Sequence, residues 1–572
     1  MKAALKKIPY EMKGIDEIEN QIFFTQFITT CQLFARFSGV TAGSVIAALT
    51  PKPIITNNND LPQITSDIFL PDITAPKPKI IQATKEQQYG YVDSLVQKHL
   101  KNKESIFICT PTNYKAKEMA SAISTETTVI YIDSTLTKNT LLSRWREIVT
   151  TQKPIVIVGT ASFLSIPRSD LGLIIIMDEI NEAYKMIGRP HLDKHLFAME
   201  VAASYKRDCI ISGTVLSTET IWAYRNDQLS AAYKPTFRYG KTPSGELIDM
   251  KEITRSGTSG VKIFSSPVAK EIRRTIQKNR KMLLFVARRG RRPFTVCNDC
   301  GETVTCKRCG YPLVLIDNES ENRVFACSTC GTTEESLRRC QNCQSWRLEA
   351  LGVGIDFVAD ILREKIPELA VFQVDGSTTD TEKKLNKVLE EFRTADSGIL
   401  LTTQLGVNRL AHKIDVSAII TADSLLALPD LSIPEKLFAL LLQIRELTKD
   451  KFFIQSRSKH TDIFTHALNG DVKSFYRQQI AEREKFGYPP FSYLIKLTSG
   501  GKEATVKKYM KQVKELFSDQ KISIYPSSSS RRYEAHALLQ IDREKWVDED
   551  ILEKLHSLPL AIEINAHPKT LL

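Results

Sequence analysis

The 572-residue chain has no uninterrupted apolar run of the roughly 20 residues that a membrane-spanning helix needs. The best candidate, residues 21–50, carries Arg36 and many Thr, Ser and Gln, and reads as two amphipathic helices. It does not read as a signal peptide either, because Glu11, Asp16, Glu17 and Glu19 precede it where a basic segment belongs. The expectation is a cytoplasmic chain with no membrane partner. Glycine (25) and proline (24) are too few for a collagen-like or low-complexity chain. No repeat recurs at a fixed period.

What is present is an ordinary globular balance, 42% apolar and 25% charged, in a chain long enough for about three to five domains. Lysine and arginine (78) exceed aspartate and glutamate (66), giving a net charge of +12. That excess favours a polyanionic partner such as nucleic acid.

Of the eleven cysteines, Cys31, Cys109 and Cys209 are scattered, the last two inside apolar runs where cysteine acts as a small buried hydrophobe. The other eight form four C-x2-C pairs: Cys297/Cys300, Cys306/Cys309, Cys327/Cys330 and Cys340/Cys343. Each such turn aims two thiolates at one ion, and two turns complete a tetrahedron. In a large chain with no secretion signal the pattern predicts two closed four-cysteine Zn2+ sites with no open catalytic position. Spacing alone leaves three ways to match the pairs. A nested match, first with fourth and second with third, closes a compact hairpin.

Residues 51–78 are rich in Pro and Asn and read as a linker. From Lys79 onward short apolar strands alternate with helical stretches, at 106–111, 128–133, 154–160, 171–179 and 207–213. This alternation is the signature of a parallel sheet wound with helices. It resumes near 260, with strands at 281–290, 370–376, 398–404, 417–424 and 451–456, and the cysteine module interrupts it just after 288–294. Two tandem α/β lobes with a zinc insertion in the second suggest a superfamily 2 helicase core. The last hundred residues read as a small α+β domain.

At this level the chain resembles a known family. FVARRGRRPFTVCNDCGETVTCKRCGYPLVL (285–315) is similar to the entry into the zinc module of PriA, the primosomal protein N′ family of replication-restart helicases. The resemblance continues through FACSTCG (325–331), CQNC (340–343), LGVGIDFVADIL (351–362), ALPDLSIPEKLFALLLQI (427–444) and DVKSFYRQQIAEREKFGYPPFSYL (471–494). In the first lobe, VIVGTASFLSIPRSDLGLIIIMDEINEAYK (156–185) resembles the segment around the family's acidic ATPase motif. The resemblance covers roughly 79–572 and implies two RecA-like helicase lobes, a double four-cysteine zinc module inserted in the second, and a small α+β C-terminal domain. The expected division is 1–78 helical region and linker, 79–240 lobe 1, 241–296 linker and start of lobe 2, 297–345 zinc module, 346–468 lobe 2 and 469–572 C-terminal domain. The resemblance also implies nested zinc pairing: Cys297, Cys300, Cys340 and Cys343 on one ion, Cys306, Cys309, Cys327 and Cys330 on the other. In the family the module is associated with strand separation and with primosome proteins, and a monomer is expected.

The chemistry of an ATP-driven helicase is the part the sequence lacks. A phosphate loop needs glycines for close backbone approach, a Lys for charge and a Ser/Thr for Mg2+. At the expected place, 79–95, Gln88 stands where the Lys belongs and Tyr89 where the Thr belongs, with Lys85, Glu86 and Gln87 in the glycine stretch. Gly240-Lys241-Thr242 is a decoy that follows no strand and is preceded by Pro235 where the first glycine belongs. Asp178 and Glu179 match the acidic motif, whose usual roles are Mg2+ binding and water activation, but Ile180 and Asn181 replace its next two residues. In lobe 2 the resemblance places the family's two γ-phosphate arginines at Leu447 and Asp450 and its glycines at Glu446 and Lys449, while Gln443, Thr403 and Gln404 are retained. Before the first lobe, only 43–53 vaguely resembles the end of the family's 3′-end-binding β-barrel, and no winged helix is recognisable.

Basic residues could still hold DNA. Arg288, Arg289, Arg291 and Arg292 cluster beside the zinc module, and Lys307, Arg308, Arg338 and Arg339 lie within it, with Phe294, Tyr311, Phe325 and Trp346 near for base stacking. Arg531 and Arg532 form another patch. The leading expectation is a non-hydrolysing PriA-like protein that binds forked or single-stranded DNA and primosome proteins, with two Zn2+ and without working ATP/Mg2+ chemistry. The alternatives are an active 3′→5′ helicase with a divergent phosphate loop, supported by Asp178, Glu179 and Gln443, and a zinc-ribbon scaffold that touches no DNA.

Overall fold

The computed structural model describes residues 21–568, apart from 65–66, 69, 71–73, 124–127, 241–242, 251–262, 288–293, 298, 301, 308–312, 318–322, 328–332, 336–338, 352–353, 411, 421, 423–429, 458–461 and 530–531. Helices Thr25–Ser38 and Ala42–Leu49 are bent by 111° relative to each other. Among the described residues no single helix is long and apolar enough to cross a membrane. The first of the two buries Phe27 and Phe34 edge-on against Phe197 of the following domain, at 6.0 and 5.3 Å. The stretch that reads as a linker contains a short helix, Lys52–Thr56, which Pro51 precedes.

Seven parallel strands build the first lobe: β1 Lys79–Gln82, β2 Ser105–Cys109, β3 Val129–Ile132, β4 Val156–Gly159, β5 Leu171–Ile176, β6 Asp208–Gly213 and the short β7 Ser230–Ala231. Their order is β3-β4-β2-β5-β6-β1-β7. Strands β2, β4 and β5 are buried at every position, as a parallel sheet covered by helices on both faces requires. The carboxyl ends of β1, β2, β5 and β6 therefore open side by side into one crevice, the place where ligands sit in sheets of this kind.

The second lobe begins with β8 Ser244–Asp249 and β9 Lys281–Phe285. The chain then leaves for a five-stranded antiparallel module, β10 Phe294–Cys297, β11 Leu313–Asp317, β12 Arg323–Cys327, β13 Thr333–Glu335 and β14 Leu348–Leu351. It returns as β15 Val371–Val374, β16 Gly398–Thr402, β17 Ile414–Ile419 and β18 Thr448–Ser456. The resulting six-stranded parallel sheet has the order β15-β16-β9-β17-β18-β8. The two sheets are RecA-like lobes, with the cysteine module inserted in the second. Strand β8 has no counterpart in the sequence reading; its SGELID offers only one buried residue, Ile248, and it is held by pairing with β18.

The C-terminal domain runs β19 Ser492–Gly501, helix Glu503–Leu516, β20 Lys521–Ser529, β21 Arg532–Asp542, helix Glu549–Ser557 and β22 Glu563–Ala566. Its sheet is antiparallel in the order β20-β21-β19-β22, a βαββαβ ferredoxin-like arrangement. Helix Val472–Phe486, just before it, joins both lobes. Ile80, Leu216 and Ile221 of lobe 1, Phe285 and Phe438 of lobe 2, and Phe475 and Tyr476 of this helix belong to one continuous apolar core. Phe438 and Phe475 stack with ring centres 4.0 Å apart.

Candidate functional site

The connection from β1 into its following helix decides what the crevice can hold. Only Ala83 and Thr84 separate Gln82 from the helix Lys85–Lys101. A phosphate loop needs four residues between its first glycine and its Gly-Lys pair to wrap an anion. Here Thr84 Oγ1 accepts the Gln87 N–H at 3.3 Å, and Gln87 Oε1 accepts the Thr84 N–H at 3.2 Å. This reciprocal capping box satisfies helix-start donors from within the chain. Gln88 is buried: its amide donates to Ala83 O (2.8 Å) and Thr214 Oγ1 (3.2 Å), and its carbonyl oxygen accepts from Ser212 Oγ (2.8 Å). Tyr89 is half-buried with the Lys85 ammonium 5.7 Å from its ring centre. Burial, then the carboxylates of Glu118 and Asp178, push its phenol far above the ordinary range.

The acidic pair at the end of β5 is split. Asp178 takes a left-handed backbone, φ 52°, and keeps a side chain 38% exposed in the crevice. Lys115, from the helix Asn113–Ala122 that follows β2, brings its ammonium to 3.7 Å from Asp178 Oδ2 and 3.5 Å from Glu118 Oε2. Glu179 is buried and turned away. It accepts the Ser217 N–H (2.9 Å), the Ser217 hydroxyl (2.6 Å) and the Thr220 hydroxyl (2.5 Å) at the start of helix Thr218–Arg225. Its position there is that of a helix-capping anion with its oxygens occupied. Asn181 caps the short turn Glu182–Tyr184, and Ile180 packs on the shared core.

Lobe 2 supplies no cation at the two positions that the resemblance assigns to arginines. Leu447 packs on the core, and Asp450 pairs with Arg280. Lys449 bonds Asp415 at 3.0 Å. Gln443 donates to Val407 O at 3.3 Å. The nearby Arg445 is buried and spent on the carbonyls of Leu468 and Gly240 and on Glu446. Gly240 is the one residue of the Gly-Lys-Thr decoy inside the described set.

Lys85, Gln88, Tyr89, Lys115 and Asp178 line a cavity of about 20 Å³, room for about one water molecule. A nucleotide with its Mg2+ does not fit this donor set. The anion cradle is a capped helix start, the Lys position is a bonded Gln, and the carboxylate that would face the metal already faces an ammonium. Sequence reasoning missed Lys115 and Glu118. Their i,i+3 spacing on a helix was the available signal, but only the sheet order shows that this helix faces Asp178.

The cysteine module gives a clearer ligand set. The sulfurs of Cys297, Cys300, Cys340 and Cys343 all lie within 4.8 Å of one another, with Cys297–Cys343 and Cys300–Cys340 each at 3.5 Å. A tetrahedron of ~2.3 Å zinc–sulfur bonds has edges of about 3.8 Å, so the four thiols form a metal site that fits zinc. The first and fourth pairs are thus brought together, as in the nested match. Cys306 is buried beside Val304, Leu313 and Phe325. Cys309, Cys330 and the side chain of Cys327 lie outside the described residues. Cys31, Cys109 and Cys209 are buried, and desolvation pushes each thiol up to about 12.

Arg288, Arg289, Arg291, Arg292, Arg308, Tyr311, Arg338 and Arg531 lie outside the described residues, as do the side chains of Phe294 and Arg532. Lys307 and Arg339 are exposed. Trp346 is 78% exposed and available for stacking, whereas Phe325, at 1%, is a core residue of the module and not a stacking surface. The sequence pattern could not distinguish that inward position from an outward one.

No family model matches the chain. Curated relatives do. Replication restart protein PriA of Bacillus subtilis is 26% identical over 425 residues, 72% of this chain and 52% of the relative. The match is to PriA. The Treponema pallidum PriA is 28% identical over 378 residues, covering 64% of this chain and 55% of its own length. That of Thermotoga maritima is 27% identical over 360 residues, 62% and 47%. The PriA-like chain thus spans about half the length of the curated relatives it matches. Solved structures are more distant: Mss116p bound to single-stranded RNA and AMP-PNP has a TM-score of 0.40 at 10% identity, covering 74% of this chain and 76% of its own. RecG bound to a three-way DNA junction has 0.37 at 9%, covering 80% and 52%. The two RecA-like lobes rest on strand order and on the PriA match.

Proposed function

We propose that this PriA-like chain acts in replication restart by binding branched or single-stranded DNA and assembling with primosome proteins, without hydrolysing ATP. The PriA match over most of the chain and the net charge of +12 support the DNA partner. Phosphates would be neutralised by Arg288, Arg289, Arg291 and Arg292 beside the metal module, with Trp346 as a stacking surface. The module holds two Zn2+ on this reading, the second on Cys306, Cys309, Cys327 and Cys330, and both serve structure, since four thiolates leave no open position.

The two-residue connection between β1 and its helix carries the claim that the motor is silent. No segment of that length can wrap a triphosphate. The deciding experiment measures ATP hydrolysis by zinc-loaded protein with and without forked DNA, beside an Asp178→Ala variant. No turnover together with fork binding is the expected result. DNA-dependent turnover that disappears in the variant would establish the second reading, an active helicase with a divergent phosphate loop, which the exposure of Asp178 in the crevice favours.

A further inference from the structure

Four charged side chains alternate across the crevice of lobe 1. Lys85 donates to Glu118 Oε1 at 2.6 Å, Glu118 Oε2 stands 3.5 Å from Lys115, and Lys115 stands 3.7 Å from Asp178. Glu118 Oε2 is buried, and the Lys115 ammonium at 3.5 Å is a counter-charge for it. From the lobe 2 side the Arg409 guanidinium lies 3.1 Å from the ring centre of Tyr114, the residue before Lys115. The cluster is electrically neutral within itself, and the helix Asn113–Ala122 holds Lys115 and Glu118 one turn apart on the face toward β5.

Two half-buried carboxylates facing a common point ordinarily demand a cation there, because an uncompensated charge out of water is costly. We infer that Lys115 is a built-in counterion: its ammonium stands between Asp178 and Glu118 where a divalent ion would otherwise be drawn, and so closes the crevice to metal. Burial alone would lower the Lys115 ammonium's affinity for its proton, but the carboxylates of Asp178 and Glu118 outweigh it and hold the charge on. Glu118 in turn stays ionised although burial opposes it, through Lys115 and Lys85. This inference deepens the non-hydrolysing reading and rests on it.

The test uses full-length, zinc-loaded protein and Mn2+ alone as the probe. Thermal unfolding is followed with and without millimolar MnCl2 for wild type, Lys115→Met, and Lys115→Met combined with Asp178→Asn. Wild type is expected to show no Mn2+-dependent shift. Lys115→Met should melt several degrees lower and regain much of that loss with Mn2+, and the double variant should lose the response. Lys115→Gln, close in length and polar, replaces the Met variant if that one does not fold. A Mn2+ shift in wild type equal to that of the variant, or no Mn2+ response in the Lys115→Met protein (or in Lys115→Gln where that replaces it), overturns the counterion. ATP turnover measured on the same wild-type sample fails the non-hydrolysing reading separately, so the two failures are distinguishable.

Discussion

Gln88 Oε1 accepts a 2.8 Å hydrogen bond from Ser212 Oγ, tying the first turn of the helix after β1 to the end of β6. On its other side the same amide donates to Ala83 O and Thr214 Oγ1. The side chain that the resemblance places at a phosphate-binding lysine is part of the wall. Restoring the lysine should therefore not restore the motor. Gln88→Lys would bury an ammonium among one carbonyl and two hydroxyls with no phosphate in reach. A loss of about 2–4 kcal/mol and no ATP turnover are expected. Thermal unfolding beside an ATPase assay checks both, and turnover without loss of stability would reveal a working anion cradle.

Tyr476 tests the joint between the lobes. Its hydroxyl lies 2.8 Å from Gln82 Oε1 and from Leu216 O and accepts the Leu216 N–H at 2.9 Å, all in a buried setting. Tyr476→Phe keeps the ring but leaves a buried N–H and a buried amide oxygen unpaired. The expected cost is about 1–3 kcal/mol. It should appear in urea unfolding as a lower midpoint with an unchanged slope. A midpoint equal to wild type would mean that the joint is carried by apolar contact alone.

The lobes were legible because parallel strands buried on both faces write themselves as apolar runs; SIFIC, VIVG and LGLIII need no other information. The C-x2-C spacing was legible because a metal constrains spacing more than packing does. Strand β8 was not, since four of its six residues are exposed and its identity comes from β18 across 200 residues of chain. The fate of Glu179 was not legible either. Sequence places it beside Asp178, but a turn of backbone at φ 52° sends one carboxylate into the crevice and the other onto the start of helix Thr218–Arg225. Lys115 escaped notice for a related reason: what it faces is fixed by strand order, and strand order is non-local.

Metal content separates the two four-cysteine sets. The zinc-loaded chain should carry about two ions. Cys297→Ser or Cys343→Ser, which breaks the set whose sulfurs stand 3.5 Å apart, should lower the count by about one. The count is read with a colorimetric zinc dye after the protein is unfolded. A count of about one in the unaltered chain would reject the second site.

Stability should depend on His536 between about pH 6.5 and 4. The imidazole is buried in β21, with Nδ1 2.9 Å from Thr498 Oγ1. Burial, then the nearby Lys496 ammonium, holds its pKa down at about 4, below the ordinary 6.5. The folded chain thus refuses a proton that the unfolded chain accepts across that window. Stability from this group is full above about 6.5 and falls as pH falls toward 4. The loss is on the order of 2–3 kcal/mol for a shift of this size. Urea midpoints measured from pH 7 to 4.5 should decline less steeply for His536→Gln than for wild type. Parallel profiles would remove His536 as the cause.

The arginine cluster predicts a salt dependence more sharply than an affinity. Each phosphate that a cation neutralises releases condensed counterions. The slope of log binding constant against log salt therefore flattens by about 0.9 for every phosphate left without its cation on duplex DNA, and by about 0.7 on single strands. Replacing Arg288, Arg289, Arg291 and Arg292 with Gln leaves shape and polarity nearly unchanged and removes four positive charges. If all four meet phosphates of a forked substrate, the slope should flatten by about 3, and affinity at low salt should drop by orders of magnitude. If they form only a solvated face, the slope will match wild type at every salt concentration, because long-range attraction of a remote charge is screened beyond about 10 Å at 0.1 M salt. The slope, rather than the affinity, discriminates, since misfolding of the zinc module would weaken binding without revealing how many ions the surviving interface releases.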